Sequence, residues 1–198
     1  AREIVVHGVV LSDDLIGKDG IEASMESTLR GSDGIRTILV NSAGITRDGL
    51  IAAMRKDDIA AVIDTNLKGT LHMIRHCARL FLRGGYGRIV NISSCDGKTP
   101  ASGVAIYGAA KAGVISLTKS FALELADYDI NSNCVAPGWV ESEAVLSGDR
   151  WKTYLPQIPS RRLGKLSEIA ESCVFLCNDK VSYINGEILD VNGAIIMD

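Results

Sequence analysis

Two side chains near the middle of the chain have a spacing that suits protonation of a carbonyl oxygen. Tyr107 and Lys111 are one helical turn apart in the sequence YGAAK. On an α-helix both lie on the same face, so the ammonium can approach the phenol. At an effective dielectric constant of about 20, a unit charge roughly 4 Å away contributes about 4 kcal/mol, at most about three pKa units. We therefore expect Lys111 to lower the pKa of Tyr107 from about 10 toward neutrality, where a general acid works best.

A Tyr-x-x-x-Lys spacing alone often arises by chance, so a catalytic role needs further support. Ser94, which precedes the pair, gives that support. The apolar segment 88–92 is bounded by glycines on one side and by a polar turn beginning at Ser93 on the other. These boundaries indicate a buried strand. The Ser94 hydroxyl then lies at the carboxyl end of a strand, where open α/β sheets bind ligands. A helix that begins near Gly103 returns Tyr107 to the same edge.

The chain alternates predicted strands and helices, which is the pattern of a doubly wound parallel α/β sheet. Strands are predicted over residues 5–11, 36–41, 88–92, 130–135 and 186–191. Helices are predicted over residues 21–29, 56–82, 104–125 and 166–177. Pro137 ends the strand before it, since proline cannot continue a central ladder. Residues 138–159 are expected to be a flexible excursion, because Gly148, Pro156 and Pro159 interrupt any helix there.

Five motifs resemble the short-chain dehydrogenase/reductase family in type and in order. They are Asn41-Ser-Ala-Gly44, Asn66 in DTNLKGT, Ser94, the Tyr107 and Lys111 pair, and Ala136-Pro-Gly138. Within the family, NSAGITRDGL and the sequence from RLGKLSEIAE to DVNG look most like the 3-oxoacyl-(acyl-carrier-protein) reductases. The resemblance begins at about Val9. It implies a Rossmann-like fold and a reductase of fatty acid biosynthesis that transfers hydride from a nicotinamide cofactor to a carbonyl.

The resemblance also implies roles for four side chains. Ser94 donates a hydrogen bond to the substrate carbonyl and stabilises the developing alkoxide. Tyr107 gives the proton, and Lys111 tunes that phenol and binds the nicotinamide ribose. Asn66 opens the long helix enough to hold a water that relays protons. A surface position is the alternative for this asparagine.

A further set of residues is expected to contact the cofactor. By resemblance they line two regions: Asn41, Ala43 and Gly44 at the adenosine side, and Pro137, Gly138, Val140 and Ser142 around the nicotinamide. The family commonly has threonine where Ser142 stands, and the hydroxyl is kept. Resemblance favours NADP (NADPH), and NAD is the alternative, because the residue that distinguishes them at the end of a second strand cannot be identified here.

The beginning of the sequence departs from the family pattern. The family starts with a strand, a T-G-x-x-x-G-x-G turn and a helix, whose backbone amides hold the cofactor pyrophosphate. Residues 1–8 already resemble a strand, and Gly17-Lys-Asp-Gly20 has the wrong spacing. We expect the first strand–turn–helix unit to be missing, through truncation or as a natural variant, and dinucleotide binding to be weak. The strand ending at Asn41 would have an exposed edge unless segment 5–11 covers it or a partner chain supplies the missing strand.

Composition fits one α/β domain over residues 1–198. The net charge of -3 favours neither nucleic acid nor an anionic membrane as a partner. The apolar runs are shorter than the roughly 20 residues that span a bilayer, and no secretory signal opens the sequence. A cytoplasmic location is expected, with the mitochondrial matrix as the alternative if a transit peptide has been removed.

The cysteines and histidines are expected to be structural, and we predict no metal site. Five cysteines without C-x-x-C spacing indicate reduced thiols. Cys173 and Cys177 share a helix face that packing explains. His72 and His76, one turn apart and followed by Cys77, are taken as a helix surface, since a metal would need further ligands.

Small residues recur at three- and four-residue intervals along the helix predicted over 104–125. Such a stripe allows another helix to approach closely, and packing on the chain's own sheet is the alternative. By resemblance we expect a homodimer or homotetramer. The stripe consists of Gly108, Ala109, Ala112, Gly113, Ser116 and Ser120.

The expected substrate is a small-molecule or carrier-protein-bound carbonyl compound, and the resemblance implies a 3-oxoacyl group. Two alternatives stay open. One is a reductase of the same family acting on a small ketone, sugar or steroid. The other is a catalytically silent structural subunit or fragment that keeps the chemical residues and cannot hold cofactor.

Overall fold

The computed structural model describes residues 4–8 and 36–197, and these contain a five-stranded parallel sheet. The strands lie side by side in chain order. Each neighbouring pair is parallel. Parallel neighbours need crossover connections, which helices supply after the second, third and fourth strands. The strands are β1 (Ile4–Gly8), β2 (Arg36–Asn41), β3 (Gly87–Ile92), β4 (Ile130–Pro137) and β5 (Ile188–Val191).

The helix predicted over 56–82 is one continuous helical segment with a wider turn in its middle. Helix α1 (Lys56–Ile63) passes into a π-helical stretch, Asp64–Gly69, and then into α2 (Thr70–Gly84). A glycine with a left-handed φ of 60°, Gly85, ends it. The remaining described helices are α3 (Ala105–Leu125), α4 (Glu143–Leu146), α5 (Arg150–Tyr154) and α6 (Leu166–Leu176).

Helices cover both faces of the sheet, which confirms the doubly wound prediction. Alternate strand residues point to opposite faces. On one face Leu39 and Ile89 pack against Phe81 of α2. On the other face Val90 packs with Leu176 of α6. The strand between these layers, β3, is buried over nearly its whole length, as expected for a central parallel strand.

The first strand covers the edge of β2 that the sequence left in question. Residues Ile4 to Gly8 pair with Arg36 to Val40 in parallel register. The edge is therefore covered by the beginning of the segment 5–11, which was one of the expected ways to cover it. The rest of that predicted strand, residues 9–11, and the helix predicted over 21–29 lie outside the described residues.

The prediction of a flexible excursion over 138–159 is wrong in detail. Two short helices, α4 and α5, and a 3-10 turn, Leu155–Gln157, occupy this segment. Gly148 separates the helices, and Pro156 lies in the first turn of the last element, where its missing N–H is not needed. The final strand also begins at Ile188, two residues later than predicted.

The five cysteines are free thiols, and four of them are buried. Cys77 belongs to the core beneath α2, and burial raises its pKa to about 12. Cys173 packs in the core on the opposite face. Packing therefore accounts for these positions, as the sequence indicated. In the ranges 4–8 and 36–197, no helix is both long enough and apolar enough to cross a membrane.

Candidate active site

The three residues singled out from the sequence meet where β3 ends and α3 begins. Ser94 follows β3 by two residues, and Tyr107 and Lys111 occupy the first two turns of α3. The Ser94 hydroxyl lies close enough to Tyr107 to act on the pKa of the phenol. The Lys111 Nζ atom lies 5.7 Å from the centroid of the Tyr107 ring. Chain positions up to seventeen residues apart are thus one group in space.

Ser94 is held by a 3-10 turn that lies directly on α3. The turn is Cys95–Gly97, and the Ser94 Oγ caps it by accepting a hydrogen bond from the Asp96 N–H at 3.1 Å. A Cβ on Gly108 would lie 2.7 Å from the Asp96 carbonyl oxygen, and a Cβ on Gly97 would lie 2.8 Å from the Lys111 carbonyl carbon. Both glycines are required for this close approach, which places the serine hydroxyl beside the phenol.

Lys111 is buried with its charge directed at the end of β3. Only 3% of its surface is exposed, and Nζ donates a hydrogen bond to the Ile92 carbonyl oxygen at 2.8 Å. Ser93 Oγ donates to the Lys111 carbonyl oxygen at 2.9 Å and ties the same strand end to the helix backbone. Burial lowers the pKa of Lys111 to about 8. The Lys111 amine is therefore close to half protonated in mildly alkaline solution.

The predicted direction of the Tyr107 pKa is wrong. Burial raises the pKa of Tyr107 to about 12, the neighbouring Ser94 hydroxyl opposes this, and the nearby Asp96 adds to it. Lys111 does not offset the burial, because its Nζ donates to the Ile92 carbonyl oxygen, with the Tyr107 ring centroid 5.7 Å away. The phenol is consequently protonated at neutral pH, which is the state that a proton donor needs.

Asn66 lies in the π-helical stretch and is fully buried, so the alternative of a surface position is wrong. Its Nδ2 donates to the carbonyl oxygens of Ile45 at 2.8 Å and Val62 at 2.9 Å. Its Oδ1 is buried and has no hydrogen-bond partner among the described residues. A Cβ on Gly44 would lie 2.7 Å from that Oδ1 and 3.3 Å from Lys111 Nζ. The unsatisfied oxygen and the ammonium therefore face the same small space.

Asn41 at the end of β2 belongs to a buried polar network. Its Nδ2 donates to Asn91 Oδ1 at 2.7 Å, and Asn91 Nδ2 donates to Thr118 Oγ1 at 2.9 Å. The network joins β2, β3 and α3. Ala43 is half-buried and Gly44 is exposed in the loop that follows. The absence of a side chain at Gly44 is explained by its approach to Asn66.

The residues predicted to surround the nicotinamide follow β4 at the same edge of the sheet. Pro137 is the last residue of that strand. Gly138 donates its N–H to the Val191 carbonyl at 3.1 Å, and a Cβ there would lie 2.9 Å from the Asn192 Cα. Two further positions are fixed locally. Val140 bridges to Gly164, and Ser142 caps α4 by accepting from the Val145 N–H at 3.3 Å.

A charged and aromatic cluster near Tyr107 was missed by the sequence interpretation. Arg150 of α5 forms an ion pair with Asp48 in the loop after β2. Its guanidinium carbon lies 5.8 Å from the Trp139 ring centroid and 5.5 Å from that of Tyr154. The two rings stack at 4.8 Å. The sequence offered one signal of charge near the site, namely Asp96, two residues after Ser94. The residues of the cluster are distant in the sequence and meet only in the folded chain.

The groups at this edge fit the nicotinamide and ribose end of a dinucleotide. The Lys111 ammonium and the Tyr107 hydroxyl are groups that can donate to ribose hydroxyls, and the ammonium lies next to the unpartnered Asn66 oxygen. A helix start or a glycine turn is the usual partner for the pyrophosphate. Within residues 36–197, this edge of the sheet supplies hydrogen-bond donors that suit ribose hydroxyls.

Comparison with known proteins gives consistent matches. A family model described as enoyl-(acyl carrier protein) reductase matches residues 3–194. The 3-oxoacyl-[acyl-carrier-protein] reductase of Aquifex aeolicus is 41% identical over 194 residues, which cover 97% of this chain and 77% of that protein. The same-named enzyme of Staphylococcus aureus is 45% identical over 201 residues, covering 99% and 81%. The solved structure of ElxO with NADP bound has a TM-score of 0.85 and 28% identity, covering 92% of this chain and 75% of that one.

The fold and these matches define an NAD(P)-dependent oxidoreductase. More narrowly, the chain belongs to the short-chain dehydrogenase/reductase family, which the five ordered motifs predicted. The reaction class is reduction of a carbonyl by hydride from a nicotinamide cofactor.

Proposed function

We propose that this chain reduces a 3-oxoacyl thioester to the 3-hydroxyacyl thioester with NADPH. The observation that carries the proposal is that Ser94 and Tyr107 lie together where β3 ends and α3 begins, with the buried Lys111 ammonium beside the tyrosine ring. The names of the relatives favour a carrier-protein-bound 3-oxoacyl substrate, and the NADP in the ElxO structure favours NADP over NAD.

Each of the three side chains has a role that its surroundings support. Bound NADPH supplies the hydride. The Ser94 hydroxyl donates to the carbonyl oxygen and stabilises the charge that develops there. Tyr107, kept protonated by burial, transfers its proton to the same oxygen. An alkoxide is a far stronger base than a phenolate, so the transfer is favourable even with the raised phenol pKa.

Lys111 and Asn66 are proposed to act around these two residues. The ammonium binds ribose hydroxyls, and its placement against the Ile92 carbonyl aims it toward the space behind Gly44. The buried Asn66 Oδ1 faces that same space and is available to a hydrogen-bond donor. The wider π-helical turn supports the predicted opening of the helix at Asn66, and the proton relay itself is a proposal.

Cofactor contacts are proposed for the predicted loop residues on the basis of their place at the carboxyl ends of β2 and β4. The residues on the adenosine side are Asn41, Ala43 and Gly44. Those around the nicotinamide are Pro137, Gly138, Val140 and Ser142. We propose that the whole chain acts as one domain, because the sheet and both helical layers share this edge.

Some residues of the small-residue stripe on α3 pack within the chain, and the others are exposed. The exposed ones support an oligomer. Gly108 packs on Asp96 and Gly113 on Leu67, within the chain. The other members are exposed together with Leu123, whose surface is 83% accessible. We propose that this exposed face joins two copies in a homodimer or homotetramer. A cytoplasmic location stays a prediction. The exposed members of the stripe are Ala109, Ala112, Ser116 and Ser120.

The function is tested by following NADPH consumption with acetoacetyl–acyl carrier protein, acetoacetyl-CoA and crotonyl-CoA. The last compound carries a carbon–carbon double bond beside its thioester, which is the bond that an enoyl reductase would reduce. We expect turnover of both acetoacetyl thioesters and none of crotonyl-CoA. Turnover of crotonyl-CoA alone would contradict carbonyl reduction at this site. NADH in place of NADPH tests the cofactor preference.

A further inference from the structure

Lys98 ends the turn that begins at Ser94 and joins that turn to the last strand of the sheet. Its backbone N–H donates to the Cys95 carbonyl oxygen at 3.0 Å, which closes the 3-10 turn. Its Nζ donates to Asp190 Oδ2 of β5 at 2.5 Å. The two residues are 92 positions apart in the chain, so only the fold brings them together. Because β4 lies between β3 and β5, the ion pair spans one whole strand.

The ion pair is largely shielded from water. The Lys98 side chain is 14% exposed and that of Asp190 is 21% exposed. The second carboxylate oxygen of Asp190, Oδ1, is buried and has no hydrogen-bond partner among the described residues. Removing the ammonium would therefore leave a largely buried carboxylate without its cation, which is costly. The pair of Lys152 and Asp149 has the same length, but its side chains are 61% and 85% exposed, so its loss costs little.

The end of β5 also supports the loop that follows β4. The Val191 carbonyl oxygen accepts a hydrogen bond from the Gly138 N–H at 3.1 Å. A Cβ on Gly138 would lie 2.9 Å from the Asn192 Cα, so the two backbones are in close contact. Gly138 is one of the residues proposed above to surround the nicotinamide. Residues 190–192 together therefore contact both the turn that begins at Ser94 and the loop on the nicotinamide side.

These two contacts concern the two sides from which a carbonyl group would be attacked. The Ser94 hydroxyl belongs to the end of β3, whereas the residues around the nicotinamide belong to the loop after β4. Hydrogen bonding and hydride transfer must converge on one carbonyl group, and a misplacement of about 1 Å can cost about 100-fold in rate. A common support at the end of β5 fixes the distance between the two sides.

We propose that Lys98 and Asp190 are positioning residues, which hold the Ser94 hydroxyl at a fixed distance from the nicotinamide side of the site. The proposal rests on the carbonyl reduction proposed above. Neither residue touches the substrate. Their ion pair acts through the turn 95–97 on one side and through the end of β5 on the other.

The test measures reduction of acetoacetyl-CoA with NADPH and with NADPH that carries deuterium at the transferable position. For Lys98→Met we expect kcat to fall by about tenfold or more, because the hydroxyl and the hydride donor are no longer aligned. The deuterium isotope effect on kcat should rise, since hydride transfer becomes slow relative to product release. NADPH affinity, measured by calorimetric titration, should stay within about threefold. Lys98→Arg keeps the cation and should recover kcat to within about threefold.

A double substitution, Lys98→Met with Asp190→Leu, separates positioning from stability. Lys98→Met alone should lower the midpoint of thermal unfolding by about 5 °C or more, since it leaves the carboxylate without its cation. Replacing both charges by apolar side chains removes that penalty, so the midpoint should return to within about 3 °C of the unsubstituted protein. The kcat should stay low and the isotope effect high, because the tie between the turn and β5 is still absent.

Lys152→Met is the matched control, because it breaks a lysine–aspartate pair of the same length that is exposed. Its kcat and isotope effect should stay within about twofold of those of the unsubstituted protein, and its midpoint should not change. If Lys98→Met does not fold, the double substitution decides. If neither folds, Asp190→Asn, which keeps the shape and removes the charge, takes their place and should lower kcat with a raised isotope effect.

The outcomes separate the positioning role from the proposed function. A double variant whose kcat returns together with its stability would overturn the positioning role and leave carbonyl reduction standing. An unchanged kcat and isotope effect in the folded Lys98→Met variant would do the same. If the unsubstituted protein reduces neither acetoacetyl-CoA nor acetoacetyl–acyl carrier protein, the proposed function fails, and the role of Lys98 and Asp190 fails with it.

Discussion

Two cations are buried at opposite ends of β3, and they are neutralised in different ways. Arg88, 2% exposed, lies at the beginning of the strand and pairs with Asp129 at 3.1 Å and Asp179 at 3.3 Å. Lys111, 3% exposed, lies at the end of the strand and is held by the neutral carbonyl oxygen of Ile92. Carboxylates balance the first charge, whereas among the described residues the second is held by the dipole of a backbone carbonyl.

The difference indicates which end of the sheet serves the fold and which serves chemistry. An arginine between two carboxylates ties loops together, and its charge is already compensated. Burial lowers the pKa of the lysine, and its charge, which no carboxylate among the described residues neutralises, can be used by a ligand. The two cations differ in how their charge is balanced, and not in whether every hydrogen bond is made. Arg88 Nε has no hydrogen-bond partner within the described residues.

The largest effect is expected at the chemical end. Tyr107→Phe keeps the ring and removes only the proton, so the rate of carbonyl reduction should fall by about 10² to 10⁴. Cofactor affinity, measured by calorimetric titration with NADPH, should stay within a few-fold. Tyr128→Phe, an exposed tyrosine just beyond the far end of α3, is the control and should keep full activity. More than a tenth of the activity in Tyr107→Phe would remove the tyrosine from its role.

At the structural end, Arg88→Met should reduce stability without reducing the rate. The substitution removes the Arg88 Nη1 bonds to the carbonyl oxygens of Gly87 and Asp129, at 2.8 Å each, and the cation that pairs with the carboxylates of Asp129 and Asp179. The Asp129 carbonyl oxygen keeps the Gly87 N–H as a donor at 3.2 Å. At about 1 to 3 kcal/mol for each hydrogen bond lost by a buried group, unfolding in urea should show a loss of about 2 to 5 kcal/mol. The folded variant should keep kcat within about twofold. A stable variant with no activity would show that the two ends are not separable.

Lys111→Met should change how stability depends on pH. The pKa of Lys111 is lowered on folding to about 8 from an ordinary value of 10.5. Between these values the unfolded chain binds more protons, so the free energy of unfolding of the unsubstituted protein should rise with pH. From pH 8 to 10 the rise relative to Lys111→Met should be roughly 1 to 2 kcal/mol. Parallel curves would mean that the ammonium is not buried in solution.

Gly108→Ala tests whether the turn carrying Ser94 must lie on α3. The added Cβ would meet the Asp96 backbone oxygen at 2.7 Å, which only a shift of the turn relieves. We expect about a tenfold loss in kcat/KM, a change of about 1.4 kcal/mol. Gly113→Ala is the matched control, because its Cβ would meet the side chain of Leu67, which can move. Equal effects of the two substitutions would contradict this account of the turn.

The smallest effect is expected from pH. Because the pKa of Tyr107 is about 12, the phenol stays protonated across neutral pH. The kcat for reduction should therefore change by less than about twofold between pH 6 and 8, while oxidation of the alcohol should accelerate into the alkaline range. A fall in reduction with a midpoint near pH 7 would restore the prediction that Lys111 lowers this pKa.

How far the sequence could predict the molecule depended on whether a feature is local. The segment 36–41 and the 88–92 core of β3 were found because glycines and polar turns bound short apolar runs. The proximity of Tyr107 and Lys111 followed from helix geometry alone. The π-helical turn at Asn66 did not, since it accompanies a hydrogen bond to Ile45, twenty-one residues earlier.

The Tyr107 pKa and the position of Asp96 show the same limit within the site. The direction of the pKa depended on burial and on the Ile92 carbonyl that holds Lys111, which helix spacing does not show. Asp96 was not singled out, because the packing of its turn on Gly108 brings it to the site, and the sequence does not show that packing.

Isotope transfer tests the central claim most directly. The protein is incubated with acetoacetyl–acyl carrier protein and NADPH that carries deuterium at its transferable nicotinamide position, and the product is examined by mass spectrometry and NMR. We predict one deuterium on the carbinol carbon of the 3-hydroxyacyl product, and a loss of this product in Tyr107→Phe. An unreduced substrate, or deuterium found on any other carbon, would contradict carbonyl reduction at the end of β3.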